Sequence, residues 1–396
     1  MQTIRKGMIQ KLFAQQAPTI LRAMPETIEN RRALLARAAV ALIGVWVATS
    51  AAGAEKPDGT RLFDADCAAC HASDGRGRSS AEVGFDLPLP NFTDCRFATA
   101  EPDSDWSAII HRGGPQRGFD RIMPAFGNAL SDEEIDALID HLRKFCTNPR
   151  WPRGNLNIPR ALFTEKAFPE DEAVVTTTIV TDGPNSFESE FTWEQRVGVL
   201  SQIEVTLPIE RADLGDPTGW KTGAGDLAIA FKHVLHHDLD RGSILSIGAE
   251  VALPTGDEAK GFGTGTTVLE AQVMYDKLLP HDAFLEVQGL AQFPHDSGLE
   301  DAAELRFALG RTWARDGGFG RAWTPMLEVL GSRELVGGAE TEWDVVPEFQ
   351  VSLSARQHIM AAAGWRIPMT QRDSRVNEFV FYLLWDWFDG RIREGW

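Results

Sequence analysis

Cys67-Ala68-Ala69-Cys70-His71 constrains this chain more than any other stretch. Two cysteines separated by two residues and followed at once by histidine form the pattern that attaches c-type haem. The thiols add across the two vinyl groups, and the neighbouring imidazole meets the iron from one side. CxxC by itself would equally suit a thioredoxin-like dithiol. Three surrounding features favour the haem: a secretory leader before the motif, a methionine motif after it, and an amphipathic helix after that.

The leader consists of Arg31, Arg32 and Arg37, an apolar run over 38–47, and small residues ending Ala52-Gly53-Ala54. This order of charge, apolar run and A-x-A predicts a signal peptide over 1–54, cleaved after Ala54, with Met24 as an alternative start. The apolar run is too short to favour an uncleaved anchor. With 396 residues the chain suits two domains rather than one small haem protein. Its formal net charge of −18 argues against nucleic acid as a partner, because phosphate binding wants the opposite sign.

Residues 55–148 are expected to form the haem domain. Asp58 is the expected N-cap of a short helix that turns Leu62 and Phe63 inward, and a second helical piece runs over 106–111. Arg121-Ile122-Met123-Pro124-Ala125-Phe126-Gly127 then offers a thioether on a loop pinned by proline. Ser131 and Glu134 are spaced as a capping box for a last helix carrying Ile135, Leu138, Ile139, Leu142 and Phe145, predicted to cross the first near Phe63. Residues 58–146 resemble a class I c-type cytochrome, on CAACH at 67–71, IMPAFG at 122–127 and the capped terminal helix. The resemblance implies an all-α fold, one covalently attached haem c, His71 and Met123 as axial ligands of the iron, and one-electron transfer at a fairly positive potential. Met123 as a core filler is the competing reading. His111, beside two glycines, is the competing ligand and reads better as a helix-end histidine. Phe126 and Trp106 are expected to pack the haem pocket. Cys95 and Cys146, in an exported chain with no other free thiols, are a disulfide candidate, with two separate buried thiols as the alternative.

Residues 149–164, rich in Pro, Arg and Asn, carry no periodicity and mark a linker. From 165 to 396 the pattern becomes alternation. Leu227, Ile229, Phe231 and Leu235 oppose Asp226, Ala228, Ala230 and Lys232, and similar faces recur around Leu245, Leu269 and Trp343. These strands of about nine to twelve residues are long for a sandwich and suit a tilted membrane crossing. The polar face carries isolated charges, including Glu188, Glu190, Glu194, Glu204, Glu250, Glu270, Glu286, Glu304, Arg306, Glu328 and Glu348, which a barrel would turn toward a watery interior. Phe379, Phe381, Leu383, Trp385 and Trp387 close the last strand on one face, with Trp396 at the end. Gly223-Ala224-Gly225-Asp226-Leu227, Leu253-Pro254-Thr255-Gly256-Asp257 and the loop Gly261-Phe262-Gly263-Thr264-Gly265 resemble the outer-membrane transporters associated with phenol-degradation pathways.

The expected architecture is two-domain: an all-α class I cytochrome c followed by an antiparallel transmembrane β-barrel of about 12 strands. Its lumen should be too narrow for the haem domain, which should sit at the periplasmic mouth. The functional expectation is a haem c electron relay of the outer membrane, a carrier rather than an enzyme, with a periplasmic electron donor or acceptor and outer-membrane lipid as partners. One alternative is a channel for a small organic solute or cation with an accessory cytochrome. The other is a periplasmic cytochrome with a soluble β-domain.

Overall fold

A computed structural model describes residues 56–182, 185–213, 219–257, 262–295 and 299–387; the expected leader over 1–54 and Trp396 lie outside them. Chain order is helical first and strands after.

The helix Gly59–Asp66 starts where the Asp58 carboxylate accepts hydrogen bonds from the Thr60 and Arg61 amides. It packs on the terminal helix Asp132–Leu142, which opens on the Ser131/Glu134 capping box and buries Ile135, Leu138, Ile139 and Leu142. The approach is close enough that a Cβ on Gly59 would lie 2.0 Å from the Ala137 carbonyl oxygen, so glycine is required there. Phe63 fills the crossing, its ring centroid 5.1 Å from His141 and 5.4 Å from Phe145. A third helix, Asp103–Arg112, adds Trp106 and Ile110 to the same core and also buries Ala108. Cys95 and Cys146 are joined by a disulfide across 51 residues, tying the helix Cys95–Ala100 to the chain just past the terminal helix. Closing a loop of that size typically stabilises by about 2–4 kcal/mol.

The remainder is one antiparallel sheet closed on itself. Its strands are β1 (Glu172–Val180), β2 (Ser186–Val197), β3 (Ser201–Asp213), β4 (Trp220–Ala224), β5 (Leu227–Asp238), β6 (Ser243–Leu253) and β7 (Val268–Leu279). β8 (Ala283–Pro294), β9 (Ala302–Arg311), β10 (Trp313–Ala314), β11 (Ala322–Glu334), β12 (Glu342–Ser352), β13 (Ile359–Pro368) and β14 (Glu378–Asp386) follow. The short β4 pairs on β3, and the two-residue β10 continues β9 along β11, which leaves twelve long strands around the ring. β14 closes on β1 in the register Val174↔Leu384 and Thr178↔Val380, so the twelve long strands form a closed ring.

Period-two alternation sorts the side chains. Phe231, Leu269, Leu309 and Leu383 are 48–54% exposed on the outer wall. Trp220, Trp343 and Trp365 stand toward one rim, and Trp313 and Trp323 toward the other, with Arg211 and Arg315 over two of these rings at 5.0 Å. An apolar outer band between aromatic rims is the surface of a barrel in lipid. One rim carries short turns, such as 198–200 and 280–282; the other carries longer connections, such as 254–267 and 369–377.

The interior departs from the watery channel expected of twelve strands. Residues 154–171 thread into the lumen and are held by its polar wall. Glu328 accepts from the Phe163 and Thr164 amides at 3.1 and 2.7 Å and from the Thr164 hydroxyl at 2.6 Å, and Glu348 accepts from the Leu162 amide at 3.0 Å. Gln288, Asp276 and Gln202 accept from the amides of Glu165, Ala167 and Glu170. Three charged side chains of the connector pair with the wall: Arg160 with Glu172 and Glu194, Lys166 with Glu172, and Glu165 with Lys232. Trp387, expected on the outer face, is instead buried past the end of β14, its amide donating to the Asp171 carbonyl.

Candidate functional site

Cys67 lies between two helical pieces, Gly59–Asp66 and Ala68–His71, which bring both cysteines and His71 within one turn of chain. Cys67 and Cys70 are free, half-buried thiols. Burial, then the charge of Asp66 and the neighbouring Cys70, push the Cys67 thiol up to about 11. A redox dithiol works through a depressed thiol, so this site is ill-suited to thioredoxin-like chemistry. Burial also lowers the His71 imidazole, which keeps it neutral, the form in which it ligates metal. Its ring packs 5.2 Å from Phe92, and its Nδ1 is buried without a hydrogen-bond partner.

Met123 is placed by the backbone. The Gly114 amide donates to the Met123 carbonyl at 3.0 Å, and the Phe126 and Gly127 amides donate to Ile110 and His111 at 2.8 and 3.1 Å. These bonds fold the Met loop back along the last turn of the helix Asp103–Arg112, and the Met123 and Phe126 side chains pack on the same core. Trp106 is buried against Phe92 and Phe97 at 5.4 and 6.3 Å, with the Arg143 guanidinium 3.9 Å over its ring. His111, the competing ligand, is otherwise engaged: its Nε2 lies 3.4 Å from Asp132 and its ring 4.7 Å from Phe319. The residues present therefore fit a covalently held haem, with two free thiols, a neutral buried histidine, and a thioether on a braced loop.

The helical part is seated on the short-turn rim. His358 lies between Glu101 at 3.2 Å and Asp386 at 3.3 Å, and Arg96 meets Asp171 at 3.4 Å. Phe319 and Arg356 on two turns contact the segment 111–119. Alternation and motif spacing do not reveal these contacts, because turn residues follow no period. The lumen-filling role of 154–171 is equally hidden. Its only signal is the charge run Glu165, Lys166, Glu170, Asp171, Glu172, unusual for a solvated linker leading into a strand.

Residues 54–142 match the family described as cytochrome C oxidase, cbb3-type, subunit III. A cytochrome c6 of the chloroplast from Chlamydomonas reinhardtii is 31% identical over 105 residues, which are 26% of this chain. The chain spans 64% of the length of that relative. Among solved structures, an outer membrane channel from Pseudomonas putida F1 is 14% identical with a TM-score of 0.41, covering 58% of this chain and 100% of its own. A KdgM porin in complex with disordered oligogalacturonate is 7% identical with a TM-score of 0.37, covering 55% of this chain and 99% of its own. The helical segment of this protein is a cytochrome c-type domain, and it precedes a closed twelve-stranded antiparallel barrel.

Proposed function

We propose that the protein is a haem c electron-transfer protein of the outer membrane, relaying single electrons at the periplasmic face of its barrel. The observation that carries this reading is the seating of the CxxCH domain on the short-turn rim of a barrel whose lumen its own connector fills. Cys67 and Cys70 would hold the haem covalently, His71 and Met123 would be its axial ligands, and Phe126 and Trp106 would pack around it. When bound, the group supplies exchange of one electron between ferric and ferrous iron. The chain's own residues keep His71 neutral and oriented, hold the thioether on its braced loop, and exclude water through Phe92, Phe97 and Trp106. Cleavage after Ala54 would deliver residues 55–148 to the periplasm, with 149–164 leading to the barrel at 165–396. Short turns face the periplasm in barrels of this kind, which is where the domain would then lie.

A second reading, a channel for a small solute or cation with the cytochrome as accessory, is favoured by one feature. A cavity near the long-loop rim is lined by Thr178, Glu188, Glu210, Arg211 and Glu378, an acidic environment suited to cations. The third, a soluble β-domain, is disfavoured by the apolar outer wall.

Haem staining of separated inner-membrane, outer-membrane and periplasmic fractions, with heated and unheated samples side by side, tests the proposal. A haem-positive outer-membrane band that shifts on heating is expected. A periplasmic band that does not shift would overturn it.

A further inference from the structure

We propose that Phe319, on the turn between β10 and β11, is a positioning residue for the Met123 loop, so that the barrel itself fixes the distal side of the haem pocket. The inference deepens the function proposed above and rests on its reading of Met123 as an axial ligand.

The segment 111–119 faces two ways. Toward the cytochrome, its backbone braces the Met loop through the Gly114 amide and the His111 carbonyl. The fit is tight there, since a Cβ on Gly113 would come within 2.9 Å of the Met123 carbonyl oxygen. Toward the barrel, the same segment receives Phe319. The Phe319 ring packs at a tilt 4.7 Å from His111, with Arg112 5.9 Å from its centroid. Its carbonyl accepts from Gln116 at 2.8 Å and from Arg117 at 2.5 Å.

Arg117 makes this contact more than incidental. It is 3% exposed, and a guanidinium buried to that depth must have its donors satisfied. One goes to Asp105 at 2.6 Å; another goes to Phe319, across the seam. The neighbouring turn adds Arg356, 4.3 Å over Phe119. Gln357 of that turn donates to the Gly320 carbonyl at 3.2 Å, so the two barrel turns brace each other. Removing the Phe319 ring takes away its contacts with His111 and Arg112 while the backbone carbonyl stays in place, which would loosen the seat of 111–119 and with it both anchors of the Met loop.

The test uses the full chain in detergent, comparing wild type with Phe319→Ala, Phe319→Tyr and Gln116→Ala, each checked for the heat-dependent mobility of a closed barrel. Amide hydrogen exchange over 113–127, the near-infrared methionine-to-iron charge-transfer band as pH rises, and the reduction potential are read together. In F319A, exchange at Gly114, Phe126 and Gly127 should accelerate roughly threefold to tenfold, the scale of one lost aromatic contact. The band should vanish at a lower pH, and the potential should fall as the thioether is more easily displaced. F319Y keeps the ring and should restore all three. Q116A removes one bond to the same carbonyl from the cytochrome side; it should move the readouts in the direction of F319A, and it serves if F319A does not close its barrel. Wild-type exchange and potential in variants with intact heat shifts would overturn the proposal and leave the contact as scaffold. A wild-type protein lacking the band would remove Met123 as ligand, whereas exchange over 113–127 would still decide whether Phe319 holds the loop.

Discussion

Asp105 shows how tightly the seam between cytochrome and barrel is drawn. Its carboxylate meets Arg117 at 2.6 Å, yet burial and then the charge of Glu101 raise it to about 6. In Glu101 burial pulls upward too, but the hydrogen bond and charge of His358 outweigh it and hold that carboxyl below its usual range. An acid raised above its unfolded value favours the folded form when protonated. The Asp105 contribution is thus full below the ordinary aspartate value of about 3.9 and is lost as pH rises through about 6. Glu101 acts in the opposite sense at lower pH, contributing above its unfolded value and losing that as pH falls through its depressed one. Asp105→Asn should therefore flatten the fall in thermal stability of the helical part between about pH 4 and pH 6; an unchanged slope would show that Asp105 does not titrate there. At the haem motif, Cys67→Ala and Cys70→Ala should each weaken haem retention on a denaturing gel, and the double variant should abolish it. Full retention in the double variant would remove covalent attachment. The residues of this motif are legible in the sequence because the attachment proposed for them would demand that spacing. Phe319, Arg356 and His358 are not, because their partners in the helical part lie more than two hundred residues away and only folding brings them together.

At the scale of elements, helix caps and the two-residue period are legible in the sequence. Asp58 and the Ser131/Glu134 box start helices where their side-chain oxygens predict, and alternation placed Phe231 and Leu269 outside with Glu194 and Glu328 inside. What alternation could not show is what those inward carboxylates face. Glu328, Glu348 and Asp276 bind the backbone amides of Leu162, Phe163, Thr164 and Ala167, and a backbone donor leaves no mark on the sequence that supplies it. Arg160 is the connector's strongest side-chain tie, reaching Glu172 at 2.9 Å and Glu194 at 2.5 Å, while its carbonyl accepts from Tyr382 at 2.7 Å. Arg160→Ala leaves two buried carboxylates without their guanidinium, which costs about 3–5 kcal/mol. The compact barrel band should accordingly convert to the extended form at a clearly lower temperature. An unchanged conversion temperature would mean that the connector adds nothing to barrel stability.

For the whole molecule, the connector in the lumen favours an anchor over a channel. Twelve strands enclose room for a narrow aqueous path, and the acidic cavity by Glu188, Glu210 and Glu378 would favour cations at one rim. Nearer the short-turn rim, residues 160–171 occupy that path and are bonded to β3, β7, β8, β11, β12 and β14. Such contacts around the ring make a seal that no single weak point opens, so the purified protein should show little steady conductance in a planar bilayer. Glu328→Ala combined with Glu348→Ala strips the acceptors from the Leu162, Phe163 and Thr164 amides together. Deprived of these partners in a polar lumen, that stretch gains more from water than from the wall. The double variant should therefore pass more current than wild type while its haem remains bound. If wild type already conducts as an open pore, the connector is no seal, and the solute or cation channel becomes the better account of the barrel. If both proteins stay closed, the barrel serves as the membrane seat of the cytochrome, and electrons rather than solutes are what this chain exchanges.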